Sequence, residues 1–266
     1  MTFYEAVKGR KMIKLIVLGS GTNVPLSYRA SPSLAFFIED NIILFDIGPG
    51  TLRQLSKVGI NHENIDYIFL SHFHPDHTAD LIHFLFATKY PPSFKKRNPF
   101  LISGSHGLSE FISRLQEAYN HWLILPTEIM KIDEIDTQEK VGRNYPGFKI
   151  ITRPTNHTPN SLAYRLESQS GKSVVYSGDT GFCDEIVDLA KGTDLLILEC
   201  SFPDGKETEL HLTPSQACRI ATLAGVNRLL LIHFYPECLA TDITAQCRKS
   251  YTGELILGSD FLHINI

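Results

Sequence analysis

One short run of metal-binding residue types constrains this chain more than any other feature. Between residues 72 and 77 stand three histidines and one aspartate, in the order His-Phe-His-Pro-Asp-His. An apolar segment, Tyr67 to Leu70, precedes them and is typical of a buried strand. Because side chains alternate along an extended chain, His72 and His74 are expected to point the same way. The run therefore indicates a metal site rather than a histidine-rich surface turn.

The second pair of donors follows a proline. Pro75 ends the extended segment, so Asp76 and His77 fall at the start of an apolar helical pattern and are expected to face the same pocket. Imidazole and carboxylate suit zinc, and also iron or manganese. A single ion would leave some of the four donors without a role. The run therefore predicts two divalent metal ions, with zinc preferred.

The pattern His-x-His-x-Asp-His after an apolar strand resembles the metallo-β-lactamase superfamily of metal-dependent hydrolases. Upstream, Leu18-Gly19-Ser20-Gly21-Thr22 resembles the superfamily's opening glycine loop, and Asp46-Ile47-Gly48 resembles its Asp-x-Gly turn. The resemblance implies two ligand groups and one bridging residue. The first group is His72, His74 and His157, the second is Asp76, His77 and His233, and the bridge is Asp179.

Each of the three downstream ligands has local support in the sequence. His157 lies in a polar loop between two strand-like segments, and Asp179 follows a strand that ends in glycine. His233 closes the apolar strand Leu229 to Ile232, at the kind of strand end where open α/β sheets collect their chemistry. The alternatives are a buried core histidine at His157 or His233, and an Asx-turn at Asp179.

Two further motifs separate the branches of the superfamily. Leu198-Glu199-Cys200-Ser201-Phe202, followed by His211-Leu212-Thr213, is similar to motifs of ribonuclease Z. The resemblance implies that His211 protonates the leaving oxygen of a phosphodiester and that Glu199 orients it. An alkoxide leaving group needs a proton, and a histidine held by a carboxylate is a suitable acid. The alternative for Glu199 and His211 is that they are only polar residues before a helix. Asp76 is expected to accept the nucleophile's proton while it binds metal.

The interval between His157 and Asp179 departs from ribonuclease Z. It holds 21 residues, whereas ribonuclease Z usually carries there an arm that binds transfer RNA. The sequence therefore predicts hydrolysis of small, nucleotide-like or cyclic phosphodiesters by metal-activated water. A transfer RNA 3′-processing endonuclease with a clamp at Pro91 to Pro99 is the alternative, and a lactone or thioester hydrolase or a non-catalytic scaffold are further ones. His106, where ribonuclease Z tends to have proline, is either a substrate contact or a surface loop residue.

The periodicity predicts an α/β chain whose second half echoes its first, and the resemblance implies the four-layer αβ/βα sandwich of the superfamily. With 266 residues, 43% of them hydrophobic, one domain spanning residues 1–266 is expected, with residues 1–12 as an N-terminal extension. Predicted strands are Lys14 to Leu18, Leu34 to Ile38, Ile42 to Phe45, Tyr67 to Leu70, Lys149 to Thr152, Leu162 to Leu166, Ser173 to Tyr176, Asp194 to Leu198 and Arg228 to Ile232. Predicted helices are Thr51 to Val58, Ala79 to Thr88, Asp184 to Ala190 and Pro214 to Ala224, and predicted loops are Ser93 to Asn98 and Thr137 to Asn144.

Composition limits the partners. The formal net charge of −4 argues against a broad basic surface for RNA, and the basic cluster Lys95-Lys96-Arg97 is expected in a solvated loop. The five cysteines are odd in number and form no Cys-x-x-Cys pair, which favours reduced thiols in the cytoplasm. No apolar run approaches the length of a membrane span, and no signal peptide is evident, so no membrane partner is expected. The resemblance also implies a homodimer.

Overall fold

The computed structural model describes residues 12–137 and 142–266, and their strands form two mixed sheets of seven strands each. The first sheet contains β1 (Lys14–Gly19), β2 (Ser33–Ile38), β3 (Asn41–Phe45), β4 (Tyr67–Phe69), β5 (Phe100–Ser105), β6 (Met130–Ile135) and the last strand of the chain, β14 (His263–Asn265). The second contains β7 (Arg143–Tyr145), β8 (Phe148–Pro154), β9 (Leu162–Ser168), β10 (Ser173–Tyr176), β11 (Leu195–Glu199), β12 (Arg228–Ile232) and β13 (Glu254–Leu257). Apart from Met12, the predicted N-terminal extension lies outside the described residues.

The two sheets repeat the same arrangement of strands. The first has the order β14-β1-β2-β3-β4-β5-β6, and the second has the order β13-β12-β11-β10-β9-β8-β7. In each sheet the strands pair antiparallel along one half and parallel along the other. The predicted echo between the two halves of the chain is therefore confirmed. The carboxyl ends of the parallel strands collect the loops that carry the polar clusters.

Helices cover the outer face of each sheet. On the first sheet lie α1 (Thr51–Lys57), α2 (Pro75–Thr78), α3 (Asp80–Thr88), α4 (Pro91–Lys96) and α5 (Leu108–Tyr119), with short 3₁₀ turns at His62–Asn64 and Asn120–Trp122. The second half contributes α6 (Asp184–Ala190), α7 (Pro214–Leu223), α8 (Pro236–Leu239) and α9 (Ile243–Cys247). Helix, sheet, sheet and helix make four layers, so the predicted αβ/βα sandwich is confirmed.

The strands are buried on both faces, which explains their continuous apolar sequence. In β2, Leu34 and Phe36 point into the core between the two sheets, while Ala35 and Phe37 point toward the helices of the first half. The core between the sheets is aromatic, with Phe45 packed against Phe36 edge-on at 5.2 Å between ring centroids. This packing fixes the two sheets against each other and holds their loop-bearing ends together.

Most predicted elements are present with small shifts at their ends. Helix α7 begins as expected, because the Thr213 side chain accepts the Gln216 N–H while the Gln216 side chain accepts the Thr213 N–H. It ends before Gly225, which adopts a positive φ of 66°. The prediction did not include the helices α4, α5, α8 and α9 or the strands β5, β6, β7, β13 and β14.

Two loop predictions need correction. Ser93 to Asn98 is not wholly a loop, since its first residues belong to α4, and the basic cluster is not wholly solvated. Arg97 is buried, its guanidinium donates to the carbonyls of His62 and Ile65, and it lies over the Phe100 ring at 4.2 Å. In the second segment, residues 138–141 lie outside the described residues, and Asn144 belongs to β7.

All five cysteines are free. Within the two described ranges of the chain, no helix combines the length and the apolar character that a membrane crossing requires.

Candidate active site

The seven predicted ligands converge where the loops of both sheets meet. They form two groups, and within each group the ligand atoms lie within 4.8 Å of one another. The first set is His72, His74, His157 and Asp179, and the second is Asp76, His77 and His233. These are the two groups implied by the resemblance, with the proposed bridging carboxylate placed between them.

Local geometry delivers the first four donors as expected. His74 has an extended backbone at φ −62° and ψ 147°, and Pro75 starts α2 directly after it. Helix α2 then turns Asp76 and His77 inward. Gly48 makes this possible, because a Cβ at that position would lie 2.0 Å from the Asp76 carbonyl oxygen. The glycine of the Asp-x-Gly turn therefore allows the close passage of the ligand-bearing helix.

Asp46 supports one histidine of each group, His77 directly and His72 through the Ser71 hydroxyl. It is fully buried after β3, and its carboxylate Oδ2 accepts hydrogen bonds from the Ser71 hydroxyl (2.8 Å), His77 Nδ1 (2.7 Å) and the Tyr176 hydroxyl (2.6 Å). The Ser71 hydroxyl, having donated to Asp46, accepts from His72 Nδ1 at 3.0 Å. Because the proton of each ring is used at Nδ1, His72 and His77 present a lone pair at Nε2.

Glu199 plays the same part in the second half. As the last residue of β11 it is buried, and it accepts the Ser201 hydroxyl (2.5 Å), His211 Nδ1 (2.8 Å) and the Thr180 N–H (2.7 Å). The Ser201 hydroxyl in turn accepts from His233 Nδ1 at 2.9 Å. One carboxylate therefore orients a predicted metal ligand and the predicted proton donor together.

Asp179 faces both ligand groups. Its Oδ1 lies 3.2 Å from His77 Nε2 and 3.4 Å from His233 Nε2. Its Oδ2 lies 3.9 Å from His72 Nε2 and 3.8 Å from His157 Nε2. A carboxylate placed between two pairs of imidazole lone pairs has the geometry of a bridging ligand.

The remaining two histidines complete the first group. His157 Nδ1 donates to the Leu210 carbonyl at 3.1 Å, and its Nε2 lies 3.1 Å from His74 Nδ1. The His74 and His72 rings are 4.5 Å apart between centroids. The structure therefore brings His74 and His157 together with His72, as the resemblance implies.

The centre of the cluster contains polar atoms without partners. Among the described residues, the buried Nε2 atoms of His72, His77 and His233 and the Oδ1 atom of Asp179 have no hydrogen-bond partner. Leaving such atoms unpaired in a folded interior costs about 1–3 kcal/mol each. Lone pairs of two imidazoles or more around a carboxylate are the donor set of a divalent cation. The residues present therefore fit the metal ions that the sequence predicts.

The protonation balance of the cluster also favours a cation. Burial and the neighbouring His77 hold the pKa of His72 well below its ordinary value, which keeps it neutral and able to bind a metal. Burial also opposes charge on His77, but Asp179 and Asp46 outweigh it and raise the pKa of His77 well above its ordinary value. The carboxylates therefore favour positive charge at His77, either as a second proton at Nε2 or as a metal ion bound to that atom in its place.

His211 stands at the edge of the cluster. Its Nδ1 is bound by Glu199, its ring lies 4.9 Å from that of His157, and its side chain is 17% exposed. Burial alone would lower the pKa of His211, but the hydrogen bond and charge of Glu199 raise it above its ordinary value. His211 also forms a triad of close donor atoms with Asp179 and His233. The geometry therefore allows a proton donor or a further ligand at this position.

Other residues correct or extend the sequence prediction. His106 belongs to neither candidate group: its side chain is 85% exposed and its Nδ1 lies 3.3 Å from Glu134. Sequence reasoning gave no role to Ser71, Ser201 or the carboxylate of Asp46. The only signal in the sequence was position, since Ser71 directly precedes the first histidine and Ser201 follows Glu199 by two residues.

Comparison with known proteins identifies the family. The family described as "Beta-lactamase superfamily domain" matches residues 41–234. The metallo-β-lactamase fold protein YhfI of Bacillus subtilis superposes with a TM-score of 0.82 at 25% identity, covering 96% of this chain and all of that one. An uncharacterised protein of Mycobacterium tuberculosis is 30% identical and covers 91% of this chain and 88% of its own.

A ribonuclease Z of Thermoplasma acidophilum is 25% identical over 96% of both chains, but its alignment is longer. The alignment spans 304 positions but contains only about 255 residues of this chain, 96% of its 266. About 50 positions of the alignment therefore have no counterpart here. The alignment with the Mycobacterium tuberculosis protein spans 247 positions for about 242 residues, 91% of 266, and needs almost no insertion. The fold implies binding of divalent metal ions, and a matching histidine and aspartate cluster is present. The chain therefore belongs to the metallo-β-lactamase superfamily of hydrolases and is similar over nearly its whole length to ribonuclease Z.

Proposed function

We propose that this chain is a phosphodiesterase that uses two divalent metal ions, zinc before manganese or iron, to hydrolyse small, nucleotide-like or cyclic phosphodiesters. The observation that carries the proposal is the hydrogen-bonded pair of Glu199 and His211 beside the ligand cluster. An ester with an acidic leaving group has little need of such a pair. An alkoxide leaving from phosphorus does need it, because it must take up a proton as the bond breaks.

The proposed ligands are the two groups described above. His72, His74 and His157 would hold one ion, Asp76, His77 and His233 the other, and Asp179 would contact both. Ions held there would activate water for in-line attack and neutralise the charge of the phosphate.

In the proposed reaction, Asp76 is the proton acceptor and His211 is the proton donor. Asp76 lies with Oδ2 3.6 Å from His233 Nε2 and 3.7 Å from His77 Nε2. Burial acts to raise the pKa of Asp76, but the neighbouring His233 and His77 outweigh it and keep the pKa below its ordinary value, so the group is a carboxylate that can accept the water's proton. His211 donates to the leaving oxygen from Nε2, and Glu199 fixes its Nδ1 proton and stabilises its charge.

The size of the substrate is inferred from the interval between His157 and Asp179. It forms β9, a tight turn and β10, an antiparallel hairpin that belongs to the second sheet. The hairpin leaves no protruding segment in this interval to hold a folded RNA. A small or flexible diester reaches the site without such a clamp.

The test compares two phosphodiesters that differ in leaving group. Metal-loaded wild type and His211→Ala would be assayed with bis(p-nitrophenyl) phosphate, whose leaving group is weakly basic, and with a dinucleoside monophosphate, whose leaving group is an alkoxide. The kcat of the variant should be about 100- to 10,000-fold below that of wild type with the dinucleoside substrate, and much closer to it with the aryl substrate, at unchanged metal content. His83→Ala, which removes an exposed histidine on α3, is the matched control.

Three outcomes would count against the proposal. Loss of metal from His211→Ala would make His211 a ligand. Equal losses with both substrates would remove its role as the acid. Wild type that binds its metals but hydrolyses neither diester would refute the phosphodiesterase.

A transfer RNA 3′-processing endonuclease is the second candidate, favoured by the likeness to ribonuclease Z over 96% of both chains. The predicted clamp at Pro91 to Pro99 is weakened by the burial of Arg97. Cleavage of precursor transfer RNA at low salt would be measured beside the small diesters, because phosphate contacts strengthen as salt falls. A kcat/KM for the precursor well above that for the dinucleoside substrate would favour this candidate. The homodimer stays a prediction of the resemblance, which light scattering on the full chain would test.

A further inference from the structure

Two aromatic side chains stack beside the proposed proton donor. Phe202 and Tyr235 lie with ring centroids 4.9 Å apart and ring planes 11° from parallel. Both are only partly buried, although one follows the buried strand β11 and the other follows the buried strand β12. Neither has a role in the ligand cluster. The pair is therefore an apolar surface left open at the rim of the site.

The pair is adjacent to the proton donor. The His211 ring lies 5.8 Å from the Phe202 ring and 6.4 Å from the Tyr235 ring, nearly perpendicular to both. The Tyr235 ring also lies 6.0 Å from that of the proposed ligand His233. Any group attached to the oxygen that His211 protonates must therefore lie close to this stack.

The backbone fixes the stack to the same segments as the chemistry. The Phe202 N–H donates to the Leu212 carbonyl at 3.3 Å, and the Tyr235 N–H donates to the Ser201 carbonyl at 3.3 Å. Leu212 follows His211 directly, and Tyr235 precedes the first residue of α8. The rings are thus anchored on both sides of the Glu199–Ser201 hydrogen-bond network. A surface held in this way is preorganised for a rigid, planar group.

We infer that the Phe202–Tyr235 stack binds a planar aromatic group, such as a nucleobase, on the leaving side of the substrate. The inference rests on the proposed function. In that reaction the oxygen of water bonds to phosphorus, the bond from phosphorus to the leaving oxygen breaks, and His211 supplies that oxygen with a proton. The product on this side is an alcohol, and for a nucleotide diester it is a nucleoside hydroxyl. Bases stack on aromatic side chains with little regard to their identity, so the subsite selects for a base rather than for one base.

The first test is binding, which does not depend on turnover. Adenosine and methyl riboside, which has the sugar but no base, would be titrated into the metal-loaded full chain by calorimetry. Adenosine should bind, and Phe202→Ala and Tyr235→Ala should weaken it about 5- to 100-fold. Tyr235→Phe, which keeps the ring, should bind within about twofold of wild type, and methyl riboside should bind weakly to every form.

Two further variants separate stacking from folding. Tyr235→Leu keeps apolar volume without a ring, so it should fold as wild type does and still lose adenosine. Tyr90→Ala removes an exposed aromatic side chain between α3 and α4 and should bind adenosine as wild type does. Circular dichroism and metal content would be measured on each variant.

Kinetics then separate this inference from the proposed function. With a dinucleoside monophosphate, the Phe202 and Tyr235 alanine variants should raise KM more than they lower kcat. If wild type hydrolyses the diester but the alanine and leucine variants bind adenosine normally, the subsite is refuted while the phosphodiesterase survives. If adenosine binding depends on the rings but wild type hydrolyses no diester, the subsite is supported and the phosphodiesterase fails.

Discussion

Replacing Asp46 with Asn tests how the ligand cluster is held. The carboxylate Oδ1 accepts the Ser71 N–H at 2.7 Å, and Oδ2 accepts the Ser71 hydroxyl, His77 Nδ1 and the Tyr176 hydroxyl. An amide has nearly the same shape but only one oxygen. With its oxygen on the Oδ2 side it faces the Ser71 N–H with its own N–H groups, and in the other orientation it opposes three donors. At least one buried donor is left unpaired in either case.

The cost follows from the burial of Asp46. An unpaired buried donor costs about 1–3 kcal/mol, and a hydrogen bond to a charged group is worth about 1.5–3 kcal/mol, more than one to a neutral amide. We expect the free energy of unfolding of the metal-free protein to fall by about 2–4 kcal/mol. Metal affinity should fall about 10- to 100-fold, because the carboxylate both fixes the His77 ring and raises its basicity, and a neutral amide does neither as well.

The assay is metal retention during dialysis against a graded chelator, with urea unfolding measured in parallel. Asp66→Asn is the matched control. Asp66 is a partly buried carboxylate, and it accepts a hydrogen bond of 2.8 Å from the Ile42 N–H, but it lies outside the ligand cluster. The control should lose stability without losing metal affinity. If Asp46→Asn loses no more metal affinity than Asp66→Asn, then the Asp46 carboxylate does not orient a ligand and the reasoning is refuted.

Two further variants test the machinery around the proton donor. Glu199 raises the pKa of His211, and the protonated acid is lost as the pH rises through that pKa. Glu199→Gln should therefore move the alkaline limb of the pH profile of kcat/KM for the dinucleoside substrate to lower pH. An alkaline limb that stays at the wild-type pH would contradict this. At Gly181 a Cβ would lie 1.8 Å from the Glu209 carbonyl oxygen, so Gly181→Ala should displace the loop that carries His211 and reduce kcat about 100-fold at constant metal content. Gly104→Ala, where the nearest atom is 3.5 Å away, is the control, and equal kcat values for the two alanine variants would disprove the displacement.

The ligand cluster could be predicted because its signals are local. His72, His74, Asp76 and His77 stand together, and their geometry follows from a strand, a proline and a helix start. Asp179 and His233 stand at strand ends, and strands of one sheet bring such ends to the same edge. The grouping of His157, Asp179 and His233 with that run came from the resemblance to the metallo-β-lactamase superfamily, because these three residues follow strands of the other sheet.

The elements that were missed depend on distant pairing. Strand β5 ends in Ser103-Gly104-Ser105, which reads as a turn, yet it is buried because β4 and β6 pair on either side of it. Strand β14 has three residues and exists because it pairs with β1, almost 250 residues earlier in the chain. Helix α4 starts with two prolines and is short. Local propensity carries little information about any of these.

The support of the ligands was missed for the same reason. Asp46 and Tyr176 are 130 positions apart, and their hydrogen bond exists only because the two sheets face each other. No spacing rule in one sequence indicates such a contact. The residues of the cluster could therefore be predicted from the sequence and the resemblance, whereas the hydrogen-bond network that selects their tautomers could not.

The two halves of the chain contain the same hydrogen-bonding arrangement of a carboxylate, a serine and two histidines. In the first half a buried carboxylate, Asp46, binds one histidine directly and a second through the Ser71 hydroxyl. In the second half Glu199 binds His211 directly and His233 through the Ser201 hydroxyl.

The halves differ in the histidine that the carboxylate binds directly. His77 has a fully buried side chain and its Nε2 faces Asp179 at 3.2 Å, where its lone pair would bind a metal ion. His211 is partly exposed at the rim, where a charged imidazole is hydrated and can exchange its proton with solvent between turnovers. Burial, rather than the hydrogen-bonding pattern, therefore separates the proposed ligand from the proposed acid. His211 also lies within reach of Asp179 and His233 as a third triad, so the proposed acid has the geometry of a ligand and differs from His77 in its access to water.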